Sequence, residues 1–498
     1  MSAGILFAAL AERAPDEVVL QGVTKTWCAA ELRLEIEDLA GRLAGTRVLA
    51  VLADNGPAWA IADLAALRAG AVHLPLPGFF SQPQLAHALE QSAADTLLTD
   101  QPARIAELDL GFVSSGEWNG LTWMQRSLSA VFLPAGTAKI SFTSGSTGAP
   151  RGVCLSAAGL MATARALVNR LADLPICTHL AVLPLSLLLE NCAGIYAPLL
   201  RAARICLPDL SSLGWHGMAA FTPAALQRAV CAAAADSLIL VPELLKAWTI
   251  FLATTQQRAP SGLSYVAVGG ARVSPDLLFQ AREWGLPVYE GYGLTECGSV
   301  VSLNRPGDDG INVGRPLDHL AVRIDDGEIR VEGRGFLGYV GDRSTGQAGI
   351  IAPVREFATG DLGRFGADGH LHLSGRRKNV LITSWGRNIA PEWVESILLA
   401  QPAIAQAVVT GDGKPWLSAV LVASPGVDRA SLEAAVQRAN NALPDYTRIG
   451  RWLAAAPFST TNGLATGNGR PIRSAILSHH AAELAALYRE REAADVVS

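Results

Sequence analysis

The feature that most constrains the fold is a repeated alternation between amphipathic helical segments and short apolar runs. Residues 29–45 (AAELRLEIEDLAGRLAG) carry apolar side chains at helical spacing, and residues 47–54 (RVLAVLAD) form a short run typical of a buried strand. The alternation continues through residues 55–77 and returns at SLILVP (237–242) and SYVAVGG (264–270). Strands separated by helices pair in parallel, because a parallel pair needs a long crossover connection. We therefore predict an α/β fold with helices on both faces of a parallel sheet.

The texture of the chain changes twice in its second half. Residues 311–375 consist of short β runs broken by Gly and Asp, which predicts hairpins and a small β subdomain. Residues 376–498 have their own alternation of strands and helices, and helices are expected from Asp428 onward. We predict a large N-terminal domain over residues 1–375, with parallel and mixed sheets flanked by helices, and a small α+β C-terminal domain over residues 376–498.

Composition excludes several classes of protein. Half of the 498 residues are apolar and 17% are charged, which is typical of a globular enzyme and not of a disordered, coiled-coil or collagen-like chain. Forty basic and 45 acidic residues give a formal charge of −5, so we expect small-molecule or protein partners and no nucleic acid. The apolar stretches fall short of the roughly 20 residues that a membrane span needs, and the N-terminus lacks the pattern of a secretory signal.

Cysteine and histidine usage gives no indication of a structural metal or a disulfide framework. The seven cysteines are scattered and never form a CxxC pair, and the nine histidines show no HExxH spacing. This usage is typical of a reducing compartment, so we expect a cytoplasmic protein.

A strand that ends in a loop of hydroxyls and glycines is the strongest local indication of chemistry. Residues 140–153 read ISFTSGSTGAPRGV. Glycines let backbone N–H groups point inward, Ser and Thr hydroxyls add donors, and the Arg151 cation offsets negative charge, so the loop is suited to bind phosphates. It is not a Walker loop, because the lysine-containing pattern of that loop is absent. On composition alone, a flexible Ser/Gly surface loop is the alternative.

Two further motifs contain carboxylates. Residues 289–296 read YEGYGLTE, and Glu296 at their end is suited to hold Mg²⁺, which takes one or two protein carboxylates together with phosphate oxygens. Residues 358–362 read ATGDL, and Asp361 is suited to accept hydrogen bonds from ribose hydroxyls. Taken alone, a glutamate such as Glu296 is more often an acid at a helix terminus than a magnesium ligand, and TGD is a common turn.

Together, in this order and spacing, these segments resemble the adenylate-forming superfamily of acyl-CoA synthetases, nonribosomal adenylation domains and luciferases. TSGSTGAPRG resembles the family's phosphate loop, GYGLTE its aromatic and magnesium motif, TGD its ribose-binding acid, and GRRKNVLITSWGRNIAP its hinge and pantetheine segment. LPLSLLLEN (183–191), VPELL (241–245) and NGLATGNGRPIR (462–473) are most similar to the long-chain fatty acyl-CoA synthetase branch. The resemblance covers essentially the whole chain and implies that the small C-terminal domain is mobile.

The resemblance implies ATP and Mg²⁺ as cofactors and assigns residues to them. It assigns phosphate binding to the loop and its flank: Thr143, Ser144, Gly145, Ser146, Thr147, Gly148 and Arg151. It assigns the adenine pocket and the floor of the acyl site to a second set: Gly269, Gly270, Ala271, Glu290, Gly291 and Tyr292. Gly293 and Thr295 are also expected to bind the cofactor. Mg²⁺ would be held by Glu296 and Thr147. Tyr292 would stack on the base, although an ordinary core aromatic is the alternative.

The resemblance also assigns residues around the predicted domain boundary. Asp361 would accept hydrogen bonds from both ribose hydroxyls, with Arg376 on the same sugar. Lys378 would be the hinge, and Gly386 would lie in the segment that guides a pantetheine thiol to the adenylate. Arg470 would be the cation that acts at the α-phosphate.

Three positions depart from the family pattern. Arg470 stands where the family has its adenylation lysine, and a planar guanidinium that fits poorly there would cost on the order of 3 kcal/mol, or about a hundredfold in rate. Arg473 is a second candidate for this role. Arg151 also replaces a lysine but keeps the charge. Leu187 replaces a histidine of the long-chain branch, which leaves an aliphatic wall suited to an apolar acid, with core packing as the alternative.

The predicted function is the activation of an apolar carboxylic acid, fatty or aryl-aliphatic, as an acyl-adenylate. Thioester formation with coenzyme A, or with the phosphopantetheine of a carrier protein, would follow. The first alternative passes the same adenylate to an amine or a hydroxyl, giving an amide or a lactone. The second is a protein that binds acyl groups or nucleotide without turnover because of Arg470. The residues indicate no oligomeric state.

Overall fold

The computed structural model describes residues 3–143, 150–217, 220–308, 310–333, 335–342, 356–467 and 469–495. It confirms the predicted α/β class, because large sheets are flanked by helices. Its strands are, in chain order, Val18–Gln21 (β1), Thr26–Cys28 (β2), Val48–Leu52 (β3), Val72–Pro75 (β4), Thr96–Thr99 (β5), Val113–Trp118 (β6), Leu121–Gln125 (β7), Thr137–Thr143 (β8), Arg151–Ser156 (β9), Thr178–Leu180 (β10), Arg204–Cys206 (β11), Trp215–His216 (β12), Ala220–Phe221 (β13), Ser237–Leu240 (β14), Tyr265–Val268 (β15), Val288–Tyr292 (β16), Ser302–Leu303 (β17), Arg315–Pro316 (β18), Ala321–Asp325 (β19), Glu328–Glu332 (β20), Phe336–Tyr339 (β21), Phe357–Phe365 (β22), Leu371–Arg376 (β23), Leu381–Ile382 (β24), Asn388–Ile389 (β25), Ile404–Thr410 (β26), Leu417–Ala423 (β27) and Ile449–Ala454 (β28).

The helices lie between these strands, as the alternation in the sequence predicts. They are Gly4–Ala11 (α1), Ala29–Arg42 (α2), Pro57–Ala69 (α3), Gln82–Ser92 (α4), Pro102–Ala106 (α5), Ala157–Arg170 (α6), Leu188–Glu190 (α7), Ala197–Arg201 (α8), Pro223–Ala233 (α9), Pro242–Thr255 (α10), Pro275–Glu283 (α11), Pro391–Leu399 (α12), Arg429–Asn441 (α13), Arg473–His479 (α14) and Ala481–Asp495 (α15). A turn of π-helix, Asn191–Tyr196, joins α7 to α8. No helix among the described residues combines the length and the apolarity needed to cross a membrane.

The first large sheet has the strand order β21-β9-β8-β4-β3-β5-β7-β6. Strands β3, β4, β5 and β8 form its parallel centre, and antiparallel strands extend it on both sides. Thr143 at the end of β8 is paired with Arg151 at the start of β9. The two ends of the Ser/Gly loop are therefore adjacent.

The second large sheet has the order β18-β17-β16-β15-β14-β10-β11-β1-β2, with parallel pairing from β16 through β1. Val268 at the end of β15 is paired with Glu290 on β16. This register brings the segment after β15 beside the end of β16, at the carboxyl edge of the parallel strands. Ligands of open α/β sheets typically bind at this edge.

A fully buried polar cluster ties the strand that enters the Ser/Gly loop to the helical segment after residue 187. Lys139 Nζ on β8 lies 2.6 Å from Asp63 Oδ1 on α3 and 2.6 Å from Asn191 Oδ1 in the π turn. The Tyr196 hydroxyl donates to Asp63 Oδ2 at 2.7 Å, and His73 Nδ1 lies 2.7 Å from Asp63 Oδ1. Because a buried charge is tolerated only when it is paired, this cluster holds the four elements in one relative position.

Two regions of the C-terminal half depart from simple expectation. Strand β21 lies within the stretch expected to form the β subdomain, but it pairs with β9 of the first large sheet, whereas β19, β20, β22 and β23 form the small sheet. The expectation of helices from Asp428 onward is wrong at β28, which runs parallel to β27 in the sheet β26-β27-β28. The six residues of β28 form a strand because they pair with β27, a neighbour that local periodicity does not reveal.

Candidate active site

Segments that are far apart in sequence meet at the carboxyl edge of the second sheet. They are the end of β16 with the 3₁₀ turn Thr295–Cys297, the start of β9, the β22–β23 hairpin and the loop that precedes α14. Thr143 and Arg151 lie at the ends of the predicted phosphate loop. The predicted loop residues Ser144, Gly145, Ser146, Thr147 and Gly148 lie outside the described residues.

Arg151 and Glu296 are joined through an aromatic residue that the motifs do not contain. The Arg151 guanidinium lies 3.7 Å from the centroid of the Tyr339 ring, and the Tyr339 hydroxyl donates to Glu296 Oε1 at 3.1 Å. Burial, together with the neighbouring Glu296 carboxylate, raises the pKa of Tyr339 to about 12. Tyr339 is thus a neutral hydrogen-bond donor that orients Glu296, and its ring makes a cation–π contact with Arg151.

Glycines at the ends of β15 and β16 let two backbone segments approach closely. Gly270 has φ +86°, a conformation that favours glycine, and a Cβ at Gly269 would lie 3.3 Å from the Gly291 carbonyl oxygen. A Cβ at Gly293 would lie only 1.7 Å from the Ser299 carbonyl oxygen, so no larger residue fits there. Ala271 follows Gly270 and is exposed. Gly270 and Ala271 are exposed and carry no side chain larger than a methyl group, so they leave a backbone surface that a planar group can approach.

Glu290 lies beneath this surface and is buried. Its Oε1 accepts a hydrogen bond from the Val273 backbone N–H at 3.2 Å. Burial raises the pKa of Glu290 to about 7, although the Val273 N–H and the nearby Arg272 act in the opposite direction. Its position below the backbone supports the loop that contains Gly270.

A second group forms around Asp361 on β22. The Tyr292 hydroxyl donates to Asp361 Oδ2 at 2.7 Å, and Arg376 Nε lies 2.8 Å from Oδ1. Asp361 is 6% exposed, while the Arg376 side chain is half exposed. Burial raises the pKa of Tyr292 well above its ordinary value, so this phenol is a hydrogen-bond donor that orients the Asp361 side chain. The carboxylate therefore keeps lone pairs available for further donors such as hydroxyls.

Arg470 reaches this site from the C-terminal part of the chain. One terminal guanidinium nitrogen donates to the Gly270 carbonyl oxygen at 2.5 Å. The loop that carries it is closed by Thr466, whose N–H donates to the Arg470 carbonyl at 2.8 Å and whose Oγ1 accepts from the Arg470 N–H at 3.1 Å. Glu243 and Arg376 are its charged neighbours. The structure thus places a cation beside the Asp361 group, although residue 470 is 109 positions further along the chain.

Lys378 and Gly386 lie outside this cluster. Lys378 is exposed in the turn Arg377–Asn379 that follows β23. Gly386 has φ +69° and donates to the Thr383 carbonyl at 2.9 Å. The hydrogen bonds of the segment around it lead to residues 411–415, and none of those among the described residues reaches Glu296 or Arg470.

The donor set at Glu296 is compatible with Mg²⁺. The carboxylate is a hard oxygen ligand, and Thr147, which lies outside the described residues, would add a second oxygen. In the part of the chain that is described, no group of three or more His, Cys, Asp or Glu side chains forms a complete metal site. A single carboxylate is sufficient for Mg²⁺ when phosphate oxygens complete the coordination.

Comparison with known proteins identifies the family. The profile of the AMP-binding enzyme family matches residues 7–340, and the profile of the AMP-binding enzyme C-terminal domain matches residues 378–492. The chain therefore belongs to the AMP-binding enzymes, which confirms the resemblance to the adenylate-forming superfamily.

Individual relatives lie in the acyl-CoA synthetase-like branch. Long-chain-fatty-acid–CoA ligase FadD15 of Mycobacterium bovis is 32% identical over 250 residues, which are 45% of this chain and 41% of that protein, so the match spans less than half of FadD15. Feruloyl-CoA synthase of Amycolatopsis sp. is 31% identical over 420 residues, or 78% of this chain and 80% of that protein. The solved structure of amide bond synthetase McbA from Marinactinospora thermotolerans has a TM-score of 0.74 at 24% identity and covers 96% of this chain and 99% of its own, which shows a common fold.

Proposed function

We propose that this chain is an ATP-dependent acid–thiol ligase that first forms an acyl-adenylate and then a thioester. The contact between Arg470 and the Gly270 carbonyl, beside Asp361, is the observation that supports this most directly. A cation at this place is suited to stabilise negative charge at an α-phosphate while a carboxylate attacks. The proposal includes the division into residues 1–375 and 376–498, since Arg470 comes from the second part.

In the adenylation step, a carboxylate oxygen attacks the α-phosphorus of ATP and pyrophosphate leaves. Arg151, whose guanidinium lies over the Tyr339 ring, would offset negative charge on the phosphates that leave. Residues 144–148, which lie outside the described residues, would contribute further donors if they bind phosphate as the resemblance implies. Mg²⁺ at Glu296 and Thr147 would neutralise phosphate charge. Catalysis on this proposal is positioning and electrostatic stabilisation, with no covalent enzyme intermediate.

The adenosine part would be held by the groups at the ends of β16 and β22. Asp361, oriented by Tyr292 and Arg376, accepts hydrogen bonds from ribose hydroxyls. The backbone at Gly269 to Ala271 and at Gly291 accepts the face of the base. Stacking by Tyr292 is part of the proposal, and its hydroxyl bond to Asp361 links base and sugar recognition.

In the thioester step, the C-terminal domain would rotate about Lys378. This rotation would remove Arg470 from the site and bring the segment around Gly386 toward the adenylate. The turn Arg377–Asn379 lies at the predicted domain boundary and has no buried residue, so it is suited to absorb the change in backbone angles. The thiol would come from coenzyme A or from a carrier-protein phosphopantetheine.

The acid is proposed to be apolar. Leu187, Leu189 and Ala193 are partly buried and pack against the core beneath β14 and β15, so an aliphatic surface faces the sheet that leads to Gly269. The names of the two relatives, which specify a long-chain fatty acid and an aryl acid, agree with an apolar acyl group. An acid whose acyl chain carries a second charge or strongly hydrated groups would lose hydration at such a surface without gaining hydrogen bonds in return.

The test is acid-dependent pyrophosphate release with a panel from acetate through long-chain fatty acids to benzoate and cinnamate. We expect activity with an apolar acid, and Arg470→Ala to lower the rate by about a hundredfold or more. Arg470→Lys is the matched variant that keeps the charge. If only the lysine variant turns over, the chain is a binding protein that does not adenylate. Pyrophosphate release with none of the acids in either protein would contradict the proposal, and the mass of the product with coenzyme A, pantetheine or an amine identifies the acceptor.

A further inference from the structure

A lysine outside all of the recognised motifs connects the two parts of the chain. Lys246, on α10, donates from Nζ to the Gln401 carbonyl at 2.9 Å and to the Ile404 carbonyl at 2.7 Å. Both carbonyls follow the C-terminal end of α12, and they lie in the proposed C-terminal domain. Lys246 therefore bridges the domains through two backbone acceptors.

The chemistry of this contact favours a strong and directional interaction. Gln401 lies in the turn after α12, and Ile404 is the first residue of β26. An ammonium group that donates to two carbonyl oxygens makes charge-assisted hydrogen bonds, which are stronger than those between neutral groups. Lys246 is partly buried, and this burial lowers its pKa to about 8. Glu243, one turn earlier on α10, is the neighbouring acid that acts in the opposite direction.

The helix that carries Lys246 also borders the candidate active site. Its first turn presents Glu243, a charged neighbour of Arg470, and Val241 before the helix has its Cγ1 3.7 Å from where a Cβ of Gly270 would stand. Leu245 and Trp248 fix the helix in the core. Helix α10 thus lies next to both Arg470 and the residues that follow α12. Because both neighbours are placed relative to the same helix, the contact of Lys246 helps to determine where Arg470 lies.

We propose that Lys246 is a positioning residue that holds the C-terminal domain in the orientation in which Arg470 reaches Gly270. It favours adenylate formation specifically, because bonds to the Gln401 and Ile404 carbonyls must break when the domain rotates for thioester formation. This inference rests on the proposed two-step function.

The test compares Lys246→Met and Lys246→Gln with Lys25→Met, which makes the same change at a lysine whose side chain is 52% exposed and pairs with Glu35. Two steps are measured separately: pyrophosphate release in a single turnover without thiol, and thioester formation from supplied acyl-adenylate and thiol. We expect both Lys246 variants to lower the first rate about tenfold, in proportion to the lost hydrogen bonds, with the second rate within twofold of the unchanged protein. Lys25→Met should leave both rates unchanged.

A third measurement does not require catalysis. Trypsin cleavage at the exposed Arg377 and Lys378 reports how firmly the domain is held, and we expect at least threefold faster cleavage in the Lys246 variants at unchanged melting temperature. Equal loss in both half-reactions, or cleavage at the rate of Lys25→Met, overturns the inference. If the protein without substitutions forms no adenylate with any acid, the proposed function is contradicted instead. The trypsin cleavage rates still show whether Lys246 holds the C-terminal domain.

Discussion

At the scale of single residues, Glu290 is a buried carboxyl group whose hydrogen bonds and charged neighbours only partly offset the cost of burying a negative charge. One backbone N–H donates to it, and Arg272 is its charged neighbour. Its pKa is raised by burial from 4.5 to about 7, so the folded protein keeps the proton over a range in which the unfolded chain has lost it. Ionisation of Glu290 therefore destabilises the fold progressively as the pH rises from 4.5 to 7, and the full effect of about 3 kcal/mol is present above pH 7.

We expect Glu290→Gln to remove this pH dependence, because the amide has nearly the same shape, still accepts from Val273 and does not ionise. The free energy of unfolding of the variant relative to the unchanged protein should increase by about 2 kcal/mol between pH 5 and pH 8. Denaturant titrations at the two pH values measure it. A difference that is equal at both pH values would show that Glu290 titrates normally.

Arg470 illustrates how a departure from a family pattern acquires a structural explanation. A lysine has one ammonium group, whereas the guanidinium has five N–H donors in a plane. One of these is used by the Gly270 carbonyl, and the others stay available to a phosphate oxygen. The arginine is thus held by the protein and still presents a cation to the site.

At the scale of elements, the end of β16 is the most tightly constrained segment of the site. It leads through Gly293 into the turn Thr295–Cys297, and the backbone of Ser299 returns across Gly293. The turn carries Glu296, so its path determines where the carboxylate points.

We expect Gly293→Ala to destabilise the protein by about 3 kcal/mol, since its Cβ would overlap the Ser299 carbonyl and the backbone would have to move. Gly41→Ala is the matched control, because a Cβ there meets nothing within 4 Å and the residue lies in α2. That change should raise stability by about 0.5 kcal/mol, as alanine is a better helix former. Thermal unfolding of the two variants measures both effects, and similar melting temperatures would contradict the steric argument.

At the scale of the whole molecule, nucleotide binding should stabilise the folded protein by mass action. Mg²⁺ and ATP at about a hundred times the dissociation constant would add about 2.7 kcal/mol, which for a chain of 498 residues corresponds to a rise in melting temperature of about 3 °C. Asp361→Asn should lose most of this rise, because a neutral amide pairs less well with Arg376 and accepts fewer hydrogen bonds from ribose. An equal rise in both proteins would exclude Asp361 from the nucleotide site.

Much of the architecture follows from local sequence. Helices α2 and α3 and strands β3, β4, β14 and β15 occur where periodicity predicts them, because each buries its apolar side chains on a face set by its own repeat. Strand β28 and the pairing of β21 with β9 do not follow from periodicity. Both depend on a partner strand elsewhere in the chain.

The same distinction holds within the candidate site. The class of fold, the family and the groups of residues within each motif follow from the amino-acid sequence alone, because the glycines, hydroxyls and carboxylates of a motif are neighbours in the chain. Other contacts of the site depend on how distant elements pack: Tyr339 donates to Glu296, and Tyr292 donates to Asp361. Lys246 donates to the Gln401 carbonyl, and Arg470 donates to the Gly270 carbonyl. These contacts connect residues between 43 and 200 positions apart. Such pairs come into contact only when strand order and helix packing bring their elements together. Local sequence patterns extend over a few residues, so they do not predict contacts between residues this far apart in the chain.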